Sequence, residues 1–309
     1  MILCLGTTPV LQRSMTFERL HVDGVNRAID VTETASGKSI NVARVLHTLG
    51  EAVIACGFLG GDSGKFIRAH LAAAQIPCEF VTVDPKTRTC VTIMDRSTGE
   101  TTELVEEAAE VDKPAWAKLR QRVAELLPRA KVLVLSGSLP PGAPQDFYGF
   151  CVNRATDCAA NAIVDATGEA LRRALPARPL VVKPNRAELA KTLDVPIESD
   201  AALRDAVKKL ISLGPAWAVV TQGKDGAIVS DGEAFWRVRS PRVEAVNPIG
   251  SGDSLAAGLA SAISRGQRLP EAARLGIACG AANALTPVAG FVRPDDVAEL
   301  LERVELETW

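Results

Sequence analysis

Asn247-Pro248-Ile249-Gly250-Ser251-Gly252-Asp253-Ser254 runs directly into Leu255-Ala256-Ala257-Gly258-Leu259-Ala260, a small-residue turn feeding a helix-periodic apolar run. The first amides of a helix lack intrahelical acceptors and carry partial positive charge, so glycines there let an anion approach the backbone. Asp253 would stand beside that anion. A carboxylate so placed can take the proton of an attacking hydroxyl, while neighbouring amides stabilise the charge on a phosphoryl group in transfer. The competing reading is that Asp253 only caps the helix. On this stretch alone the cap reading prevails, because glycine-rich turns before helices are common.

Outward from it, short apolar runs recur at Val53–Leu59, Val132–Leu135, Ala162–Val164, Leu180–Val182 and Ala218–Val220. Each fits a strand buried on both faces. Between them, apolar residues at three- and four-residue steps predict helices over Asn41–Leu49, Gly64–Ala74, Pro114–Leu127, Ala201–Leu213 and Ser254–Ser264. This rhythm predicts an α/β fold with helices on both faces of a mainly parallel sheet. Residues 14–34 and 89–104, the latter with a Ser97-Thr98-Gly99 turn, alternate instead and predict antiparallel strands that could pair as a small lid. No repeat or linker divides the chain, so a single domain over residues 1–309 with a discontinuous lid is expected.

Two further segments add to the turn at Gly250. Lys183-Pro184-Asn185-Arg186-Ala187-Glu188 follows an apolar strand, and its spacing puts Asn185 and Glu188 on one helix face. Such a pair can hold magnesium through water, since that ion keeps much of its hydration shell; a plain helix start with a first-turn glutamate is equally compatible. Thr221-Gln222-Gly223-Lys224-Asp225-Gly226 is a glycine-spaced turn that could lie against nucleotide phosphates, or be an ordinary hairpin turn. Ser36-Gly37-Lys38-Ser39 imitates the end of a P-loop, but the first glycine of that motif would fall on Thr32, so none is present. Gly37 still permits close backbone approach at the start of the helix carrying Asn41 and Arg44, with Lys38 adding a positive charge, which suits substrate recognition.

Composition narrows the class of partner. The 35 Lys+Arg against 37 Asp+Glu give a net charge of -2, without the excess that grips nucleic acid or an acidic membrane surface. Aromatic residues make up 4% of the chain and do not interleave with basic clusters, which argues against a single-strand stacking platform. Seven scattered cysteines never form a C-x-x-C spacing, so free thiols in a reducing compartment are expected. Met1–Gly6 is too short an apolar stretch for a signal h-region or a membrane span, and a cytoplasmic protein is expected.

Taken in order, Gly37 with Ile40-Asn41-Val42-Ala43-Arg44, Thr87-Arg88-Thr89, Ser136-Gly137-Ser138-Leu139-Pro140-Pro141-Gly142, Lys183-Pro184-Asn185 with Glu188, and Gly250-Ser251-Gly252-Asp253-Ser254 resemble the ribokinase-like pfkB carbohydrate kinases. Within them, the chain is similar to the branch of 1-phosphofructokinases (fructose-1-phosphate kinases) and tagatose-6-phosphate kinases. The resemblance spans nearly the whole sequence. It implies a three-layer α/β/α fold with a β-sheet lid, and magnesium-dependent transfer of the ATP γ-phosphoryl group to a sugar hydroxyl.

By the same resemblance, Asp253 matches the catalytic base, and Gly250, Ser251 and Gly252 the anion hole. Asn185 and Glu188 match the motif that organises magnesium and the phosphates. Lys183, Thr221, Gly223 and Gly226 fall at nucleotide contacts, with Gly280 and Asn283 beside the adenine or simply packing helices. Arg88 takes the place of an arginine that binds the phosphate of a phosphorylated sugar. Ser138, Gly37 and Asn41 match sugar-site positions, with Lys38 and Arg27 as helpers or solvated lid charges.

The chain also departs from that pattern. The branch usually carries an aspartate near its N-terminus where this sequence, Gly6-Thr7-Thr8-Pro9-Val10-Leu11-Gln12, has Gln12. A carboxylate accepts hydrogen bonds from sugar hydroxyls at both oxygens, whereas an amide accepts on one side and donates on the other, so a changed sugar preference is expected. Ser36 and Ser39 replace glycines common in the branch. The leading expectation is a kinase of a phosphorylated ketohexose. A kinase of an unphosphorylated sugar or nucleoside is the alternative, and a regulator that binds nucleotide or sugar phosphate with weakened turnover is a third. The expected partners are a sugar phosphate and ATP, with a homodimer formed through the exposed lid edges and no nucleic acid or membrane.

Overall fold

The computed structural model describes residues 1–309. The chain opens with strands β1 (Ile2–Gly6), β2 (Val10–Phe17) and β3 (Asp30–Ser36), helix α1 (Lys38–Thr48), β4 (Val53–Gly60), α2 (Gly61–Ala73), β5 (Cys78–Val83), β6 (Thr89–Asp95) and β7 (Thr101–Val105). It continues through α3 (Lys113–Leu126), β8 (Val132–Ser136), α4 (Phe147–Asp157), β9 (Asn161–Asp165), α5 (Gly168–Ala174), β10 (Val181–Val182), α6 (Arg186–Leu193) and α7 (Asp200–Ser212). The last elements are β11 (Trp217–Thr221), β12 (Ala227–Ser230), β13 (Phe235–Arg239), α8 (Ser251–Ser264), α9 (Leu269–Ala284), α10 (Pro294–Glu302) and β14 (Glu305–Thr308).

Ten strands form one sheet in the order β14-β13-β12-β11-β10-β9-β8-β1-β4-β5. Every pair from β5 to β11 is parallel, and β11 to β14 are antiparallel. The β-branched runs read from the sequence as doubly buried strands all lie in the parallel part. Their side chains alternate between two cores: Ile2, Cys4, Val132 and Val134 pack with α1, α2, α8, α9 and α10, whereas Leu3, Leu5, Leu133 and Leu135 pack with α3 to α7. The result is the expected three-layer α/β/α arrangement. Within Met1–Gly6, Ile2–Gly6 forms β1, a fully buried inner strand between β4 and β8. No helix is long and apolar enough to cross a membrane.

The second sheet has the order β3-β2-β6-β7. Its strands fall within or beside the two alternating segments, except that β2 begins at Val10 and residues 18–29 form no strand. One expectation is corrected: β2 and β6 pair in parallel, flanked by antiparallel partners. The reason is topological, because the chain returns to the main sheet through β4, α2 and β5 and then leaves it a second time in the direction that β2 took. The outer strand β7 is exposed along its whole length.

Parallel strands put their carboxyl ends on one edge, and in such sheets the crevice outside that edge receives ligands. Gly6, Ser136, Asp165, Val182 and Thr221 all end strands there. The shared direction of these strands, rather than closeness in sequence, brings the motif residues together.

Candidate active site

Helix α8 begins at Ser251, inside the small-residue turn, with Gly250 as its left-handed N-cap at φ 85°. A Cβ at Gly250 would stand 2.5 Å from the amide nitrogen of Gly290, so only glycine fits. The amides of Gly250, Gly252 and Asp253 donate to no acceptor within the protein. A Cβ on Gly252 would meet only Lys183 Nζ, at 3.7 Å, so the space above this helix start is open. Free amides facing open space are what an incoming anion needs.

Asp253 does not cap the helix. Its carboxylate is buried and accepts at Oδ2 from Asn41 Nδ2, 2.8 Å away. Burial pushes its pKa up to about 6, helped by the nearby charge of Asp165 and opposed by Lys38, by the Asn41 hydrogen bond and by Lys183. The two readings of Asp253 are therefore separated by tertiary contact. Asn41 is itself held: its Oδ1 accepts from Ser36 Oγ at 3.1 Å and from Arg44 Nη1 at 3.3 Å. Arg44 also donates to the carbonyls of Ala35 and Ala289, and burial lowers its pKa to about 10. Ser36, a departure from the resembling pattern, thus serves to orient Asn41.

Asp165 is a residue that motif reading missed. It ends β9 almost completely buried, and Oδ1 lies 3.2 Å from both Lys38 Nζ and Lys183 Nζ. Burial alone would raise its pKa, but the two ammonium groups outweigh that and hold it below the ordinary value. Burial would likewise push the Lys38 ammonium down, yet Asp165, Asp253 and Glu188 together lift it. The available sequence signal was weak: a single carboxylate closing a buried strand at the ligand-binding edge.

Lys38, Arg88 and Ser138 come together with Thr8 and Ser39 around a polar pocket of about 100 Å³. Arg88 donates to the carbonyls of Glu106 and Thr8, while its buried Nε has no partner. Thr8 Oγ1 reaches the Ser138 carbonyl at 3.3 Å. Gly37, at φ 104°, is the N-cap of α1 and packs on Pro9, which lets α1 start beside this pocket. Gln12 lies in β2, and its Nε2 donates to Thr92 Oγ1 of β6 at 2.8 Å. Arg27 is exposed in the loop after β2 and makes no ion pair.

On the other side, Asn185 and Glu188 form a reciprocal capping box at the start of α6: Asn185 Oδ1 accepts from the Glu188 amide and Glu188 Oε2 from the Asn185 amide, both at 2.8 Å. Asn185 is bridged to Thr221 at the end of β11. Gly223 and Gly226, at φ 60° and 99°, turn the chain from β11 into its antiparallel partner β12. This segment is thus a hairpin connection lying beside the α6 start. Gly280 and Asn283 pack inside. A Cβ on Gly280 would meet the Ser251 carbonyl at 3.0 Å, and Asn283 is fully buried. The Asn283 amide is used up internally, with Nδ2 donating to the Ile249 carbonyl and Ser251 Oγ, and Oδ1 accepting from Ser254 Oγ and the Gly290 amide. Of the two readings for this pair, the geometry matches helix packing and gives Asn283 the task of holding the turn before α8.

The profile of the pfkB family carbohydrate kinases matches residues 1–295. The chain belongs to this family. The fold also matches phosphofructokinase-2 from Escherichia coli, solved in complex with substrates and products, at 27% identity and a TM-score of 0.91 over 98% of each chain. A Staphylococcus aureus protein provisionally assigned as a phosphofructokinase gives 30% identity and a TM-score of 0.83 over 100% of this chain and 99% of its own. A Thermotoga maritima protein provisionally assigned as a 1-phosphofructokinase gives 26% identity and 0.90 over 100% and 99%. In this pfkB carbohydrate kinase, the free-amide helix start and the buried carboxylate lie beside Lys183, just past the carboxyl end of β10.

Proposed function

We propose that this chain transfers the γ-phosphoryl group of ATP to a hydroxyl of a phosphorylated ketohexose, of the fructose 1-phosphate or tagatose 6-phosphate type. One observation carries the reading: a buried carboxylate with a raised pKa sits in the first turn of a helix where the amides of Gly250, Gly252 and Asp253 have no acceptor. That combination pairs a proton acceptor with a site for a transferring anion. Arg88 supports a substrate with its own phosphate, because its buried, unpartnered Nε borders the polar pocket. Phosphofructokinase-2 from Escherichia coli has been solved with fructose-6-phosphate, which fits the same substrate class.

Asp253 is the base, kept in place by Asn41. The amides of Gly250, Gly252 and Asp253 stabilise charge on the transferring group, and Ser251 fixes the turn through Asn283. Lys38, Arg88 and Ser138, with Gly37, Asn41 and Gln12, receive the sugar phosphate. Lys183, Thr221, Gly223 and Gly226 border the nucleotide. Bound magnesium and ATP supply a neutralised, activated phosphoryl group. No three acidic, histidine or cysteine side chains converge to strip a cation of its water, and the Asn185–Glu188 pair spends two oxygens on mutual capping. This donor set fits a magnesium ion that keeps its hydration shell and is met through water.

The small sheet would serve as the lid over the acceptor pocket, and its exposed edge strands as the contact of a homodimer. A tetrameric inhibited form is described for phosphofructokinase-2 from Escherichia coli. Seven unpaired thiols suit a reducing, cytoplasmic setting. The experiment is a screen of phosphorylated and free sugars with ATP and magnesium, reading ADP release. Turnover confined to ketohexose phosphates supports the proposal, and turnover with free sugars or nucleosides alone refutes the substrate class.

A further inference from the structure

The carboxylate of Asp165 is satisfied lopsidedly. Oδ1 is shared by two ammonium groups at 3.2 Å each, whereas Oδ2 is buried without a partner. An ion pair selected only for stability would give each oxygen a donor, because an unmet buried acceptor costs free energy. The two lysines come from different places. Lys38 begins α1 and lines the polar pocket with Arg88 and Ser138. Lys183 follows β10, and its Nζ lies 3.7 Å from where a Cβ on Gly252 would stand, beside the free amides. Sharing one oxygen brings the two nitrogens within twice the pairing distance, a separation at which like charges repel without an anion between them.

We propose that Asp165 is a positioning residue for phosphoryl transfer: its single shared oxygen draws a lysine of the acceptor pocket and a lysine of the anion hole together at the boundary the phosphoryl group must cross. The proposal rests on the kinase reading above and names a part of that same site. Asp165 also keeps the lysines from turning their full charge on the base. The groups facing Asp253 are Asp165 from β9, Lys38 and Asn41 from α1, and Lys183 after β10, with Arg44 behind Asn41. Asp165 is the only anion among them.

The test uses the full chain with ATP, magnesium and the best sugar phosphate, comparing wild type, D165N, K38M, D165N/K38M and D253N. D165N should lower kcat by about a hundredfold, the scale of a misplaced reacting group. Its affinity for ADP, read by calorimetry, should stay within a few-fold. The acid limb of its kcat/KM profile should move to lower pH, because the base has lost a negative neighbour while both lysines remain. In the D165N/K38M cycle the combined loss should fall short of the product of the single losses. Parallel loss of ADP affinity and turnover with an unmoved pH profile would assign Asp165 a structural role and overturn the proposal, as would wild-type turnover in D165N. If D165N does not fold, D165E carries the test. It keeps the charge but lengthens the arm, and wild-type kcat in D165E is again the overturning result. A wild type inactive on every sugar phosphate, or a fully active D253N, would instead overturn the kinase reading itself.

Discussion

Asn41 Nδ2 donates to Asp253 Oδ2 at 2.8 Å, joining two side chains 212 positions apart and locking the first turn of α1 to the first turn of α8. The bond removes one rotational choice from the carboxylate and leaves Oδ1 free for an acceptor hydroxyl. It also explains why Ser36 is compatible with this site: its hydroxyl holds the other end of the Asn41 amide.

Removing the charge of Asp253 should separate activity from stability. Its folded pKa of about 6 lies above the ordinary 3.8, so its stabilising contribution is complete below pH 3.8 and is lost as pH rises through 6. Above that, the buried ionised form costs up to about 3 kcal/mol. D253N should therefore abolish turnover yet melt higher than wild type at pH 8, the gap closing toward pH 4. Equal melting temperatures at pH 8 would contradict the burial argument.

With Asp253 as the proposed base, the same carboxyl should set the acid limb of catalysis. A base must be ionised to accept a proton, so kcat/KM should fall about tenfold per pH unit below roughly 6. A pH–rate profile that stays flat down to pH 4.5 would remove Asp253 from the role of base.

Gly250 and Gly252 should respond differently to the same methyl group. G250A forces a side chain into a left-handed backbone against the Gly290 amide and should lower stability by about 1–2 kcal/mol or more. G252A meets only a flexible lysine tip, so it should fold as well as wild type while losing about a hundredfold or more in kcat. Thermal melts beside steady-state rates distinguish the two, and a fully active G252A would show that the open space above α8 is not used.

Replacing Arg88 tests whether the substrate carries its own phosphate. A charged hydrogen bond is worth about 1.5–3 kcal/mol, so R88A should raise KM for a sugar phosphate by about 10- to 100-fold and leave any free-sugar KM nearly unchanged. Equal effects on both substrates would mean that Arg88 serves the fold through its bonds to the Thr8 and Glu106 carbonyls.

Gln12 is held by Thr92, whose hydroxyl can accept from an amide or donate to a carboxylate. Q12D should therefore keep this contact while changing what the residue offers a sugar. The ratio of kcat/KM values between ketohexose phosphates should shift by about tenfold, the worth of one hydrogen bond. An unaltered ranking would place Gln12 outside the acceptor site.

Sequence by itself determined the layers and most of the chemistry-bearing turns. Doubly buried β-branched runs and three- and four-step apolar periods are local properties, and Val132–Leu135 or Ala201–Leu213 form the same elements wherever the chain leads them. The glycine pattern before α8 was equally legible, since a left-handed cap is written in the residue type. Tertiary structure decided what long-range geometry alone can decide. It made β2 and β6 parallel, because pairing direction depends on the route taken between two strands. It made Asp253 a buried carboxylate held by Asn41 with a raised pKa rather than a helix cap, because that depends on a distant partner and on removal from water. It enclosed Asn283 and centred two lysines on Asp165, a residue with no local pattern around it. Electrostatics and desolvation act through space, so they are fixed only when distant segments meet.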